Sequence, residues 1–175
     1  MMTLICAFGS KIVVSSCVDG LIRAATPSPT VRHSIAFMNR LIPINSESDI
    51  PAHYRGTSVG LLLGYHNFEK PYETYSSAQL LIGMCMDNRK HLHIPDNFAY
   101  IIRSGGANLR YSEFKVSYAI AVGGAKAIAL IGHTQCGMVN LIARKEQFVR
   151  GLVERAGWQA EQAEEHFHHL SLIHI

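Results

Sequence analysis

The run Leu80-Leu81-Ile82-Gly83-Met84-Cys85 carries no charged residue and reads as a buried strand. Ala127-Ile128-Ala129-Leu130-Ile131-Gly132 repeats that character, and Phe98–Ile102 supplies a further strand. Between the last two, Ser112 caps a helix expected over Glu113–Val122 that stops at Gly123-Gly124. Upstream, a short helix is expected over Ser58–Asn67, carrying Val59, Leu62, Leu63 and Phe68 toward the core. Downstream, a helix is expected to open at Cys136 and run to about Arg155, and another covers Trp158–Leu170. Strands that alternate with helices imply an α/β fold, with a central, mostly parallel β-sheet flanked by helices.

The amino-terminal third is less regular. Ile12-Val13-Val14 reads as a short strand, and Pro27-Ser28-Pro29 marks a break. Thr30 caps a helix expected over Val31–Leu41, where Val31, Ile35, Met38 and Leu41 recur at helical spacing, and Pro43 to Pro51 is loop-like. Residues 1–55 are therefore expected to form an extension with one helix, and residues 56–175 the α/β domain.

Composition bounds the function. Of the residues, 48% are hydrophobic and 17% charged, which argues against wholesale disorder. The net charge of +3 is weak and no Lys/Arg stripe is present, so nucleic acid and anionic membrane are excluded as expected partners. No basic leader precedes the mildly apolar start, and no segment is long and apolar enough to span a bilayer. Cys6, Cys17, Cys85 and Cys136 are too sparse for a disulfide framework, so reduced thiols in the cytoplasm are expected.

Chemistry concentrates in Cys85-Met86-Asp87-Asn88-Arg89 and in His133-Thr134-Gln135-Cys136-Gly137. Each cluster follows a strand and ends in residues that bind soft divalent metals. Two thiolates and one imidazole make three ligands, and zinc with three protein ligands keeps a fourth position open for reaction. The bland alternative is a pair of buried cysteines acting as small hydrophobes. In a parallel sheet all strands end along one edge, where ligands bind, so Cys85 and His133 converge if their strands are neighbours. Cys136 is expected at a helix amino terminus, where the dipole favours a thiolate. Cys6 and Cys17 lack ligand spacing. His91 and His93, like His166, His168, His169 and His174 in the tail, read as solvated side chains. Gly105-Gly106 reads either as a tight turn or as a backbone nest.

The pattern Cys-x-Asp-x-Arg followed by His-x-x-Cys-Gly resembles the β-class carbonic anhydrases, and Ile102-Arg103-Ser104-Gly105-Gly106-Ala107-Asn108 is similar to that family's Arg-Asn-Ala-Gly-Asn stretch. The resemblance spans roughly residues 78–150. It implies Cys85, His133 and Cys136 as ligands of Zn2+, and Asp87 with Arg89 as a catalytic dyad. It further implies Asp87 as a fourth ligand in a closed form, and Gly105, Gly106, Ala107 and Gly137 at the substrate. The implied reaction is reversible hydration of carbon dioxide to bicarbonate by zinc-bound hydroxide, in a homodimer or higher even oligomer. Alternatives on the same scaffold are a hydrolase of carbon disulfide or carbonyl sulfide, and a zinc-binding homologue without activity. Family members continue through a further strand and helix, so the fold is expected to be incomplete at its carboxyl end.

Overall fold

A computed structural model of the chain describes residues 2–8, 11–15 and 41–171. The expected break at Pro27-Ser28-Pro29 and nearly all of the expected helix over residues 31–41 lie outside the described residues. The chain divides into two compact units, Met1–Thr134 and Gln135–Ile175.

The first unit is an α/β fold. Its sheet contains β1 (Met2–Phe8), β2 (Lys11–Ser15), β3 (Leu41–Ile42), β4 (Leu80–Cys85), β5 (Ala99–Ser104) and β6 (Ala127–His133), in the order β3-β2-β1-β6-β4-β5. β1, β6, β4 and β5 run parallel, while β2 and β3 add antiparallel pairings at the far side. The sheet thus crosses the boundary expected at residue 55: β1 pairs with β6 in register Leu4↔Leu130. Strand pairing is non-local, so a segment with weak periodicity of its own can still be recruited by a neighbour far along the chain.

β4 is buried along its whole length. Successive side chains of a strand point to opposite faces, and both faces of β4 are covered. Leu80, Ile82 and Met84 join Ala129 and Ile131 of β6 in a core with α1 (Ser58–Phe68), which supplies Val59, Leu62, Leu63 and Tyr65. Leu81 points the other way, toward Ala119 and Val116 of α2 (Glu113–Ala121). Each such side chain contributes about 1.5–3 kcal/mol when fully buried, which is why the uncharged run could be nothing but a central strand.

A local signal fixes the start of α1, whereas Ser112, expected to cap α2, stands at its N-cap without a side-chain cap hydrogen bond. Thr57 caps α1 by accepting from the Gly60 amide at 3.3 Å. Gly60 has to be glycine, because a Cβ there would collide with the Tyr54 carbonyl, which takes hydrogen bonds from Thr57 N and Oγ1. At Gly83 in β4 a Cβ would come within 2.8 Å of the Leu130 side-chain end and 3.1 Å of that of Leu109, so both leucines would have to shift.

The second unit departs from expectation at its start. No helix opens at Cys136. Residues 137–140 form turns, a 3-10 segment covers Leu141–Arg144, and the helix α3 begins only at Lys145 and ends at Ala156. Gln135 (φ 58) and Asn140 (φ 56) adopt left-handed backbone, which cannot continue a right-handed helix. Gly157 (φ 70) closes α3, with Trp158 N–H donating to Leu152 O and Gly157 N–H to Val153 O. α4 (Ala160–Ser171) then returns along α3: Phe167 packs on Phe148 with ring centres 5.3 Å apart, and Lys145 pairs with Glu164 at 3.1 Å.

Candidate metal centre

The sheet brings Cys85 and His133 together. β4 and β6 are parallel neighbours in the register Leu80↔Ala127 to Met84↔Ile131, so β6 ends just one residue beyond β4 at the carboxyl edge. Cys85 is the last residue of β4 and His133 the last of β6. Cys136 follows three residues later. One ligand atom from each of Cys85, His133 and Cys136 lies within 4.8 Å of the others, and neither cysteine is in a disulfide. This group could hold a metal ion.

The imidazole is prepared for that role. Its side chain is only 3% exposed, and Nδ1 lies 2.8 Å from the Thr134 carbonyl. A carbonyl oxygen can only accept, so Nδ1 carries the proton and the lone pair is on Nε2. Nε2 is buried and has no hydrogen-bond partner. A buried acceptor left unsatisfied costs about 1–3 kcal/mol, a cost that coordination of Nε2 would remove. Fixing the tautomer through the other ring nitrogen is the usual outer-shell device for a histidine ligand.

Asp87 stands beside this group, with Oδ2 4.0 Å from His133 Nε2. Its carboxylate is turned to Arg89, whose Nε donates to Oδ1 at 2.9 Å and to Oδ2 at 3.1 Å, while Nη2 also donates to Oδ2. The Arg89 backbone N–H closes a local turn on Oδ1 at 3.0 Å. These hydrogen bonds from the Arg89 side chain and backbone, helped by its positive charge, hold the Asp87 carboxyl well below the usual carboxylate range. Asp87 is therefore an acceptor throughout the neutral range, and the planar fork of Arg89 keeps it oriented.

Comparison of the chain with family models, with curated proteins and with solved structures gave no match. The chemistry of the site rests on its own residues.

The loop that carries Asp87 is tied to β5. Met86 N–H donates to Ser104 O at 2.9 Å, continuing the strand ladder. The Arg103 guanidinium then reaches three carbonyls, those of Cys85 (3.3 Å), Asp87 (3.4 Å) and Lys90 (2.7 Å). Sequence reasoning assigned Arg103 no role. Nothing local in the chain links position 103 to carbonyls 13 to 18 residues earlier; the parallel pairing Met84↔Arg103 makes that link.

The glycine-rich stretch forms a 3-10 turn, Gly105–Ala107, lying against β4 and β6. Gly106 (φ 62) and Ala107 (φ 63) both have left-handed backbone, and Ser104 Oγ closes the turn by donating to Asn108 O at 2.6 Å. Gly137 is exposed, and a Cβ there would meet nothing within 4 Å. Because turns follow it and the helix starts only at Lys145, Cys136 has no helix dipole to stabilise its thiolate, contrary to expectation. His91 and His93 are exposed, and the His93 backbone N–H donates to His66 Nδ1 at 3.2 Å. Among the described residues, no helix is long and apolar enough to cross a membrane.

Proposed function

We propose that this chain is a zinc-dependent carbonic anhydrase of the β-class type, which hydrates carbon dioxide reversibly to bicarbonate. The observation that carries the reading is the Cys85, His133 and Cys136 group with the Asp87–Arg89 pair 4.0 Å from its imidazole. Two thiols and one imidazole are a donor set that suits zinc, and three protein ligands leave one position for reaction. The unpartnered His133 Nε2 fits such an ion.

Cys85, His133 and Cys136 would hold the zinc, which would supply a Lewis acid able to bring the pKa of a water toward neutrality. Asp87 Oδ2 accepts a hydrogen bond from the attacking water and turns its lone pair toward the carbon. Arg89 keeps that carboxylate from swinging onto the ligands, since its bidentate grip would have to break first. When the oxygen bonds to carbon, bicarbonate forms and one proton leaves to solvent. A structural zinc site would have no use for such a pair.

Two further proposals accompany this one. A reducing compartment, the cytoplasm, suits two thiols whose sulfur atoms lie within 4.8 Å of each other, because an oxidising one favours their pairing. A homodimer or higher even oligomer is supported by an apolar stripe on α2. Phe114 and Tyr118 lie one turn apart there and Val122 follows at its C-cap, all exposed, with Phe114 at 82%. Sedimentation equilibrium at micromolar concentration reads this directly, and a strict monomer counts against it.

Metal analysis coupled to stopped-flow carbon dioxide hydration tests the main reading. Wild type should carry about one zinc per chain. Asp87→Ala should keep the zinc and lose about 10²–10⁴-fold in rate, the usual contribution of a positioned proton acceptor. A well-folded wild type that takes up no zinc would overturn the metal assignment, and an unchanged rate in Asp87→Ala would remove the dyad.

A further inference from the structure

We propose that Arg103 is a positioning residue for the metal-ligating loop, setting the geometry of Cys85 and Asp87 through their backbone carbonyls. The inference rests on the metal reading above and adds a residue to it.

The loop leaves β4 at Cys85 and turns back on itself, with the Lys90 N–H donating to Asp87 O at 3.2 Å. Three of its carbonyls, those of Cys85, Asp87 and Lys90, converge on one side chain. Arg103 Nη1 serves Cys85 O and Asp87 O, and Nη2 serves Lys90 O at 2.7 Å, the shortest of the three. Among the described residues, Arg103 has no carboxylate within ion-pair distance, so its charge is directed wholly to peptide oxygens. The two arginines therefore divide the work. Arg89 orients the Asp87 carboxylate, and Arg103 orients the backbone from which that carboxylate and the Cys85 thiol project.

The chemistry demands a guanidinium. One planar fork offers two nitrogens to three acceptors in a fixed geometry; an ammonium offers a single nitrogen on a flexible stem. Cys85 sits at the last residue of a buried strand, so its thiol is held on one side by the sheet. On the other side, the Arg103 bonds fix the direction in which the chain leaves. A ligand and its acid–base partner two residues apart both depend on that direction.

The test uses Arg103→Met and Arg103→Lys in the full chain, with Lys115→Met as a charge-loss control on the exposed face of α2. Three readouts are taken. Amide hydrogen exchange in the metal-free protein should accelerate at residues 86–90 in Arg103→Met and stay unchanged in the central strands. Zinc affinity by chelator competition should fall about 10–100-fold, the range for outer partners of metal ligands. The cobalt-substituted protein should show shifted d–d and thiolate charge-transfer bands, which report the ligand arrangement without turnover. Arg103→Lys should recover only part of each effect, and Lys115→Met should match wild type. Should Arg103→Met not fold, Arg103→Lys decides alone. Unchanged zinc affinity and cobalt bands in a folded variant would overturn the assignment, as would full recovery in Arg103→Lys. Wild type that binds neither ion overturns the metal reading itself and this inference with it.

Discussion

The ends of β4 and β6 and the segments after them carry the residues that could hold a metal ion, yet those segments are built in opposite ways. After β4, the chain from Cys85 to Lys90 is held by side chains. Arg103 takes its carbonyls, Arg89 takes its carboxylate, and the Met86 amide continues the β5 ladder. After β6, the chain from Thr134 to Asn140 is shaped by its own backbone. Gln135 and Asn140 turn left-handed, Cys136 O accepts from Val139 N–H at 3.1 Å, and Val139 is 69% exposed. The lesson is that the segment after β4 is preorganised by long-range donors, while the one after β6 depends on turn chemistry.

The comparison breaks most visibly at the cysteines. Cys85→Ser and Cys136→Ser should each lose more zinc affinity than the about 10–100-fold that an outer partner costs, because each removes a ligand. Their stabilities without metal should differ. Cys85 is 4% exposed, and placing a hydroxyl there should cost about 1–3 kcal/mol. Cys136 is half-buried in a turn, and its replacement should stay within about 0.5 kcal/mol. Urea unfolding of the chelator-treated proteins measures both, and equal losses would remove the distinction between the two segments.

A smaller effect sharpens it. Asn140→Gly should leave stability unchanged or raise it by a fraction of a kcal/mol, since the backbone there is left-handed (φ 56) and the side chain makes no cap hydrogen bond. Met86→Gly, in the tied loop and without a positive φ, should lower stability by about 0.5–1 kcal/mol through added freedom of the unfolded chain. Paired thermal melts distinguish the two, and a loss at Asn140 as large as that at Met86 would contradict the picture of a turn-built segment.

Much of the fold was legible because its signals are local or nearly so. Ser112 stands at the N-cap of α2, though its side chain makes no cap hydrogen bond, and the uncharged runs Leu80–Cys85 and 127–132 form strands. What escaped was non-local. Residues 2–8 carry no strong pattern, yet β6 recruits them by parallel pairing. Apolar residues after Cys136 looked helical, but Val139 and Ile142 are exposed and the helix waits for Lys145. A helix opening at Cys136 is prevented by the left-handed backbone at Gln135 and Asn140.

By itself, the sequence determined which residues can ligate a metal and that two of them close strands, since donor chemistry and strand character are properties of short stretches. Only the tertiary structure decided that β4 and β6 are neighbours in register, that His133 presents a bare buried Nε2, and that Arg103 grips the loop carrying Asp87. Those facts depend on atoms many residues apart being brought within a few ångströms, which pairing and packing specify and composition does not.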